Sequence, residues 1–365
     1  MQALVDKLYK QHILTADEFH LLLAHYQDAK LCEFLFSCAR AVSNMHFGNK
    51  IYIRGLIEIS NYCQNNCYYC GIRAGNRHVQ RYRLSKEEIL SCCRQGYALG
   101  FRTFVLQGGE DPYYTDDTLC EIVSAIKAMY SDCAVTLSLG ERTRESYQRL
   151  YESGADRYLL RHETADPLHY SRLHPKNLSL TKRISCLFDL KEIGYQTGTG
   201  FMVGSPYQTN ATLIQDLLFI QKLSPQMVGI GPFIPHTQTP FANKPQGSVQ
   251  LCLFLIALLR LMLPNALLPA TTALGTAEKS GRCKGILAGA NVVMPNLSPI
   301  YRRAQYELYD NKLCTGDESA QNCASLRRRM EKIGYEIVTG RGDPAVWQNT
   351  SSKIKSDQTS KEKYP

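Results

Sequence analysis

The feature of this chain that most constrains its fold is a regular alternation of short β-rich runs with longer helical patterns. Strands that alternate with helices are typical of βα units, which build parallel sheets. The predicted strands cover residues 51–59, 103–107, 134–139, 157–162, 197–203, 227–231, 267–272 and 291–294. Eight such units predict an α/β fold, namely a (β/α)8 TIM barrel.

The predicted barrel occupies residues 47–345. The segment before it, 1–46, predicts an N-terminal helical extension with Asp17 as a helix cap. Polar residues without periodicity predict a disordered tail over 346–365. Within the barrel, Ser85 and Glu88 have the spacing of a capping box. The apolar run 251–264 is interrupted by Arg260 and is too short to cross a membrane, so it predicts a buried helix.

The composition argues against several classes of protein. Fourteen cysteines could form a disulfide framework, but the chain is long, begins MQALVDKLYK without an apolar leader, and places many cysteines in apolar helical runs. We therefore expect reduced thiols and a cytoplasmic protein. The net charge of +9 lies partly in residues 327–329 and in the tail. We interpret it as solvated surface charge, and expect neither a nucleic-acid partner nor a membrane.

Three cysteines, Cys63, Cys67 and Cys70, follow the first predicted strand in a CxxxCxxC loop. Three thiolates on one loop can bind three irons of a [4Fe–4S] cubane and leave the fourth iron open. An open iron can chelate the amino and carboxylate groups of S-adenosylmethionine (SAM), and an electron from the cluster then breaks a C5′–S bond. The alternatives are inert thiols and a structural zinc site, which needs four closed ligands; His78 is the nearest candidate for the fourth.

This loop, at the end of the first strand of a predicted barrel, resembles that of the radical SAM superfamily. Tyr69 stands where the superfamily has an aromatic residue before the third cysteine, and the resemblance implies that the backbone there meets the adenine of SAM. Gly108, Gly109 and Glu110, after the second strand, resemble the glycine-rich segment that meets the SAM amino group. The resemblance thus implies an enzyme in which the three cysteines hold a [4Fe–4S] cluster and SAM is the cofactor.

From about residue 50 to about 345 the chain also resembles the HydE family of [FeFe]-hydrogenase maturases. The resemblance lies in IEISNYCQNNCYYCGIR, VLQGGEDPYY, VTLSLGE, GADRYLLRHETA, GIGPFIPH, PATTALGT and GANVVMPNLSP. It implies that Glu163 binds the ribose hydroxyls and that Arg183 holds the SAM carboxylate. For both residues the alternative is a surface ion pair.

The same resemblance implies the reaction and the partners. The 5′-deoxyadenosyl radical would modify a small anionic organometallic iron substrate with carbon monoxide, cyanide and cysteine ligands, by attack on the cysteine sulfur. The partners implied are the maturases HydG and HydF and a reduced electron donor such as ferredoxin or flavodoxin. The product would go towards the di-iron subcluster of the hydrogenase H-cluster.

A polar, cationic substrate cavity is predicted from the alternation of side chains along the strands. Buried polar groups of this kind are unfavourable unless they hold a ligand or paired anions. An anionic iron complex fits this cavity, and an internal ion-pair network is the alternative. The residues predicted to line the cavity are Gln107, Thr136, Ser138, Arg157, Arg161, Met202, Thr271, Thr272 and Tyr301.

The C-terminal cysteines bear on a second cluster, which some family members carry on three thiols. Here Cys314 and Cys323 are present, but Leu326 stands where a third cysteine is expected. Two thiols are a poor cluster site, so we predict no second cluster.

Three other functions remain open from the sequence. A methylornithine synthase would take a cationic amino acid and should have acidic residues in its cavity. A biotin synthase needs cysteines on inner strands for an auxiliary cluster, and the predicted strands three to eight have none at their inner ends. A non-catalytic iron–sulfur scaffold would need the cysteine loop but neither the GGE segment nor Glu163.

Overall fold

The computed structural model describes residues 1–314 and 319–344. Within these residues the chain alternates strands and helices along most of its length. The strands are β1 (Lys50–Ile53), β2 (Gly55–Ser60), β3 (Thr103–Gly108), β4 (Ala134–Ser138), β5 (Arg157–Leu159), β6 (Gln196–Thr199), β7 (Met202–Val203), β8 (Met227–Val228), β9 (Gly231–Pro232), β10 (Val292–Val293) and β11 (Glu336–Val338).

Every pair of neighbouring strands in these sheets is parallel. Strands β2, β3, β4, β5, β6 and β8 lie side by side in that order, β1 lies between β10 and β11, and β7 pairs with β9. Isolated parallel bridges join Leu56 to Asn296, Met227 to Leu267, and Pro269 to Val292. Since the paired strands are parallel, their carboxyl ends lie at one edge, where α/β proteins bind ligands. The fold is therefore α/β with parallel sheets.

The helices connect these strands and cover the sheets. They are α1 (Gln2–Gln11), α2 (Ala16–Ala24), α3 (Ala29–Phe47), α4 (Lys86–Ala98), α5 (Asp116–Met129), α6 (Arg144–Glu152), α7 (Pro167–Leu173), α8 (Leu180–Ile193), α9 (Asn210–Leu223), α10 (Val249–Met262), α11 (Thr272–Ala277), α12 (Gly281–Leu287), α13 (Ile300–Arg303) and α14 (Cys323–Glu331). Local chemistry explains where several begin. Ser85 caps α4 in a reciprocal capping box with Glu88, which confirms that prediction.

Five predictions about secondary structure are wrong. The first predicted strand is two strands, because the chain leaves one sheet and enters the next at Arg54. The predicted strands 197–203 and 227–231 are likewise each divided, into β6 and β7 and into β8 and β9, which lie in different sheets. The seventh, 267–272, is reduced to bridges at Leu267 and Pro269, and Thr272 already begins α11. Asp17 lies inside α2, which is capped by Thr15 because that hydroxyl accepts from the Glu18 amide. Strand β11 was not predicted; it is short and pairs with β1 at the other end of the chain.

The N-terminal helices pack onto the rest of the molecule. Helix α3 contacts α10, α2 contacts α9, and their buried apolar residues belong to the same core as those of the strands. Helix α10 is buried from Cys252 to Met262, which confirms the predicted buried helix. None of the described helices is long and apolar enough to span a membrane. The division into extension, barrel and tail stays a prediction, and the predicted tail lies outside the described residues.

Candidate active site

A cavity of about 350 Å³ lies at the carboxyl ends of the parallel strands. It brings together all but two of the residues predicted for cofactor and substrate. These are Cys63, Cys67, Tyr69, Cys70, Gln107, Gly108, Gly109, Glu110, Thr136, Ser138, Arg161, Glu163, Arg183, Met202, Thr271 and Thr272. The wall therefore combines thiols, hydroxyls and charged groups from many separate strand ends.

The cysteine loop follows β2 and is held in shape by one guanidinium. Arg81 donates to the backbone carbonyl oxygens of Asn61, Ile72 (2.8 Å), Arg73 (2.7 Å) and Asn76 (3.1 Å). These acceptors lie on both sides of the three cysteines, so Arg81 ties the two ends of the loop together. A guanidinium with donors in a fixed fork suits this task better than a lysine.

The three thiols are partly exposed at the residue level and face the shared cavity. Burial raises the pKa of Cys63 and Cys70, and raises that of Cys67 to about 12. No group of three or more His, Cys, Asp or Glu in the described part of the chain is arranged to hold a single metal ion. Metal ligation requires thiolates, so loading of a cluster on these cysteines is coupled to proton release.

The glycine-rich segment after β3 packs directly against the cysteine loop. The Gln64 amide donates to the Glu110 carbonyl oxygen at 2.9 Å. A Cβ at Gly109 would lie 2.1 Å from the Tyr62 carbonyl oxygen, so only glycine permits this approach. The two sequence motifs are thus parts of one rigid unit at neighbouring strand ends.

Arg183 reaches the cavity from α8 and is held by acidic side chains. Its Nε donates to Glu141 at 2.5 Å, and its NH1 donates to the Arg161 carbonyl oxygen at 3.0 Å. Its NH2 lies 3.8 Å from Glu110, whose carboxylate also accepts from the Glu141 amide at 3.0 Å. The sequence analysis missed Glu141, which orients the arginine from the end of the neighbouring strand.

Glu163 has a left-handed backbone with a φ of 64°, which is uncommon for a residue with a side chain. Its Oε2 is buried, has no hydrogen-bond partner and lies 3.2 Å from NH2 of Arg161. The Glu163 amide donates to the Gly200 carbonyl oxygen at 3.1 Å. The surrounding structure therefore holds a strained residue whose carboxylate faces the cavity.

The buried carboxylate of Asp216 supports the strained backbone turn at Glu163. Asp216 of α9 accepts from the Ala165 amide at 2.6 Å and lies 3.4 Å from Nε2 of His162. The other ring nitrogen of His162 is 2.8 Å from the Thr199 hydroxyl. Burial raises the pKa of Asp216. These contacts bracket Glu163 on both sides in the chain, and the sequence analysis did not identify them.

Tyr69 is held by a histidine from the loop after α7. Its hydroxyl lies 3.1 Å from Nε2 of His174, whose Nδ1 lies 3.0 Å from the Tyr170 carbonyl oxygen. Since a carbonyl accepts only, Nδ1 carries the proton, and Nε2 accepts from Tyr69. Burial lowers the pKa of His174 to about 3, which agrees with a neutral ring.

The deep part of the cavity contains a third arginine, Arg54, which the sequence analysis missed. Arg54 is 5% exposed and lines the cavity. Its NH1 lies 3.0 Å from Met227 Sδ, while Nε and NH2 have no hydrogen-bond partner. Burial, with nearby Arg157 as the second cause, lowers the pKa of Arg54. The Thr136 hydroxyl is likewise buried without a partner.

Beside the cavity lies a buried ion pair that was also missed. Lys312 lines the cavity and donates to Glu58 at 2.5 Å and to the Tyr306 carbonyl oxygen at 2.9 Å. The other oxygen of Glu58 accepts from Asn296 at 2.8 Å. The contact ties the segment after α13 to β2.

Two predicted cavity residues lie elsewhere. Arg157 is the first residue of β5, so it sits at the amino end of the strand, where it pairs with Asp343 at 2.7 Å and donates to Gln196 at 2.6 Å. Tyr301 is 64% exposed on α13 and donates to Glu88 at 2.7 Å. The predictions for both are wrong. For Arg157, alternation gives the side on which the residue lies but not its height along the strand; Tyr301 lies beyond the last predicted strand, on the short helix α13.

Comparisons with known proteins agree with this site. A model described as the radical SAM superfamily matches residues 57–220. The chain is 46% identical over 302 residues to the [FeFe] hydrogenase maturase subunit HydE of Thermotoga maritima, covering 83% of this chain and 86% of that protein. It is 31% identical over 333 residues to the 3-methylornithine synthase of Methanosarcina acetivorans, covering 91% and 92%.

Solved structures share the fold. Methylornithine synthase (PylB) matches with a TM-score of 0.81 at 30% identity, over 92% of this chain and 97% of that one. The [FeFe]-hydrogenase maturase HydG of Carboxydothermus hydrogenoformans matches with a TM-score of 0.78 at 23% identity, over 91% and 78%. At that identity the HydG match shows the fold alone. On the 46% identity across most of both proteins, the chain belongs to the radical SAM superfamily and, within it, to the HydE family of [FeFe]-hydrogenase maturases.

Proposed function

We propose that this maturase acts on a small anionic iron complex with carbon monoxide, cyanide and cysteine ligands, during assembly of the H-cluster di-iron subcluster. The observation that carries the proposal is a set of buried donors on the cavity wall without hydrogen-bond partners: Nε and NH2 of Arg54, Nε of Arg161 and Oγ1 of Thr136. Such donors are unfavourable unless a ligand accepts from them. An anionic complex with cyanide nitrogens meets that requirement.

We also propose that the parallel strands form a closed (β/α)8 barrel. Six strands run in order from β2 to β8. The bridges Met227–Leu267, Pro269–Val292 and Leu56–Asn296 continue that order through the two remaining predicted strands and back to β2. Barrel enzymes place their chemistry at the carboxyl ends of the strands, which is where the three cysteines lie.

Membership of the radical SAM superfamily implies a [4Fe–4S] cluster and SAM. Cys63, Cys67 and Cys70 fit the cluster, because three thiols face one cavity on a loop that the Arg81 guanidinium holds in shape. The cluster, when bound, supplies the electron that cleaves SAM. The loop thus positions the cofactors, and the backbone beside Tyr69 is proposed to meet the adenine.

The remaining SAM contacts are proposed for polar side chains and backbone groups that line the cavity. Glu163 is proposed to accept from the ribose hydroxyls, because its Oε2 is buried and lacks a hydrogen-bond partner. Arg183 is proposed to hold the SAM carboxylate through NH2, since its Nε is already bound to Glu141. The amino group of SAM is proposed to meet the backbone of Gly108, Gly109 and Glu110.

The substrate is proposed to bind deeper in the cavity than SAM, between Arg161 and Arg54. Arg161 lies beside the Glu163 carboxylate, while Arg54 lies at the deep end with Met227. Gln107, Thr136, Ser138, Met202, Thr271 and Thr272 complete the proposed substrate wall. Modification of the cysteine sulfur requires that sulfur to lie towards SAM, with the diatomic ligands towards Arg54.

The similarity to methylornithine synthases favours one competing function, a mutase acting on a cationic amino acid. A cationic substrate needs unpaired carboxylates. Here each carboxylate at or beside the cavity has a cationic neighbour: Glu58 is paired with Lys312, Glu163 lies 3.2 Å from NH2 of Arg161, and Glu110 lies 3.8 Å from NH2 of Arg183. Unpaired donors on Arg54 and Arg161 favour the anionic substrate instead.

The proposed partners follow from the family. HydG is proposed to supply the iron complex, HydF to receive the product, and a reduced ferredoxin or flavodoxin to provide electrons. All fourteen cysteines are free thiols. This supports the predicted cytoplasmic location, because cytosolic thiols are kept reduced.

The test uses reconstituted enzyme under anaerobic conditions with a chemical reductant. The variants are Cys63→Ala, Cys67→Ala and Cys70→Ala, with Cys120→Ala on α5 as the matched control. We expect the three loop variants to lose the reduced-cluster EPR signal, most of their iron and all 5′-deoxyadenosine formation, while the control keeps them. The iron–carbonyl–cyanide–cysteine complex should increase deoxyadenosine formation, and lysine should not. Stimulation by lysine alone would contradict the proposed substrate and support the mutase.

A further inference from the structure

The outer side of the cysteine loop is unusually basic. Between Glu58 and Glu87 the chain contains no acidic residue. The same stretch contains five positively charged residues, namely Arg73, Arg77, Arg81, Arg83 and Lys86. Where such charges are exposed and unneutralised, they attract proteins of opposite charge and raise their rate of association.

Three of these charges have no acidic partner in the described residues. Arg77 is exposed and has no ion pair there. Arg73 donates to the Asn66 amide oxygen at 2.6 Å, and Arg81 donates only to backbone carbonyls. By contrast, Arg83 is neutralised by Asp111 at 2.7 Å. The unneutralised charge is therefore concentrated on the loop itself.

An exposed aromatic surface adjoins Arg81 and Arg83, and the Arg81 guanidinium lies 5.9 Å from the ring centroid of Tyr62. Tyr62 is 36% exposed and directly precedes Cys63, while Tyr113 is 57% exposed. The Arg83 guanidinium lies 3.8 Å from the ring centroid of Tyr62 and 4.7 Å from that of Tyr113. Exposed tyrosines stacked on arginine are the composition that protein–protein interfaces favour. We call the surface formed by Tyr62, Arg73, Arg77 and Arg81 the basic face.

We propose that the basic face is the docking surface for a small acidic electron-carrier protein. The proposal rests on the proposed function, since it assumes a redox cluster on the cysteine loop. One electron leaves the reduced carrier and enters the cluster; no bond forms or breaks in this step. Electron transfer slows steeply with distance, and a carrier on Tyr62 is one residue from a cluster ligand. Charge on this face therefore controls the rate of cluster reduction by an acidic protein.

The experiment measures reduction of the reconstituted holoenzyme by stopped-flow absorbance of the cluster. The reductants are a reduced flavodoxin of net negative charge and photoreduced 5-deazariboflavin, a small uncharged molecule. The variants are Arg77→Glu, Arg77→Lys and, as the matched control, Lys30→Glu at an exposed position on α3. At low salt Arg77→Glu should slow reduction by flavodoxin about threefold to tenfold. Arg77→Lys and Lys30→Glu should leave that rate unchanged.

Two further results are expected. The difference between Arg77→Glu and the parent should vanish in roughly 0.5 M salt, because charges are then screened within a few ångströms. Reduction by deazariboflavin should be equal in all variants. Equal slowing of flavodoxin-driven reduction in Arg77→Glu and Lys30→Glu would overturn the proposed docking surface. Slower reduction of Arg77→Glu by both flavodoxin and deazariboflavin would overturn it too, because it would show damage to the cysteine loop. Failure of the parent to cleave SAM with deazariboflavin would instead overturn the proposed function.

Discussion

The buried Arg157–Asp343 pair makes a quantitative prediction about stability. Arg157 is fully buried, and the Asp343 carboxylate, 30% exposed, also accepts from Gln196 at 2.7 Å and Arg341 at 2.9 Å. Removing one partner of a buried pair costs about 3–5 kcal/mol. Asp343→Asn should cost less, about 2 kcal/mol, because the site is partly solvated and Arg157 keeps its bonds to Gln196 and Thr103. An unfolding entropy of roughly 0.7 kcal/mol/K for a chain of this length converts that to about 3 °C in Tm.

The assay is differential scanning fluorimetry, with Asp117→Asn as the control. Asp117 is 80% exposed and pairs with Arg149, so its loss should change the Tm by less than about 1 °C. Arg157 lowers the pKa of Asp343 below its ordinary value, although burial acts in the opposite direction. The pair therefore stabilises the protein above the unfolded pKa of about 4, and this contribution falls as the pH drops through the lower folded value. The difference in Tm between parent and variant should narrow below about pH 4.

The same variant tests the correction to Arg157. Because the pair lies at the amino end of β5, SAM cleavage and substrate modification per folded enzyme should change by less than about twofold. An unchanged Tm together with a large loss of substrate modification would refute this reasoning. It would support the original prediction that Arg157 lines the substrate cavity.

Four other variants test the cavity and the C-terminal cysteines. Arg161→Met should keep SAM cleavage without substrate but lower substrate modification at least about tenfold, since a charged hydrogen bond contributes roughly 1.5–3 kcal/mol; deoxyadenosine and maturation yields are compared, and parallel loss of both would contradict the division of roles. Asp216→Leu should raise the KM for SAM roughly tenfold with little change in kcat, because the turn at Glu163 loses its support; a lower kcat alone would contradict this. Cys314→Ser and Cys323→Ser should keep the parent's iron content and maturation activity, and an extra cluster spectrum lost in either would disprove the prediction of one cluster.

Features encoded over short stretches of chain were predictable from the sequence. The cysteine loop, the capping box at Ser85 and the buried helix α10 each depend on residues within one element. The glycine at position 109 was recognised because a motif surrounds it, although its physical reason, the carbonyl oxygen of Tyr62, appears only in the packed structure. The alternation of strands and helices was likewise sufficient for a parallel α/β fold.

The tertiary structure decided which side chains share a cavity and at what depth. Arg157 and Arg161 have the same parity, but one lies at the amino end of its strand with Asp343 and the other faces the cavity with Glu163. Partners such as Lys312 and Glu58 are 254 positions apart, so no local pattern relates them. Hydrophobic periodicity reports the face that a residue presents, whereas its height and its partners depend on how distant elements pack. The sequence by itself therefore determined the cysteine loop and the family, and packing alone decided which charges line the cavity.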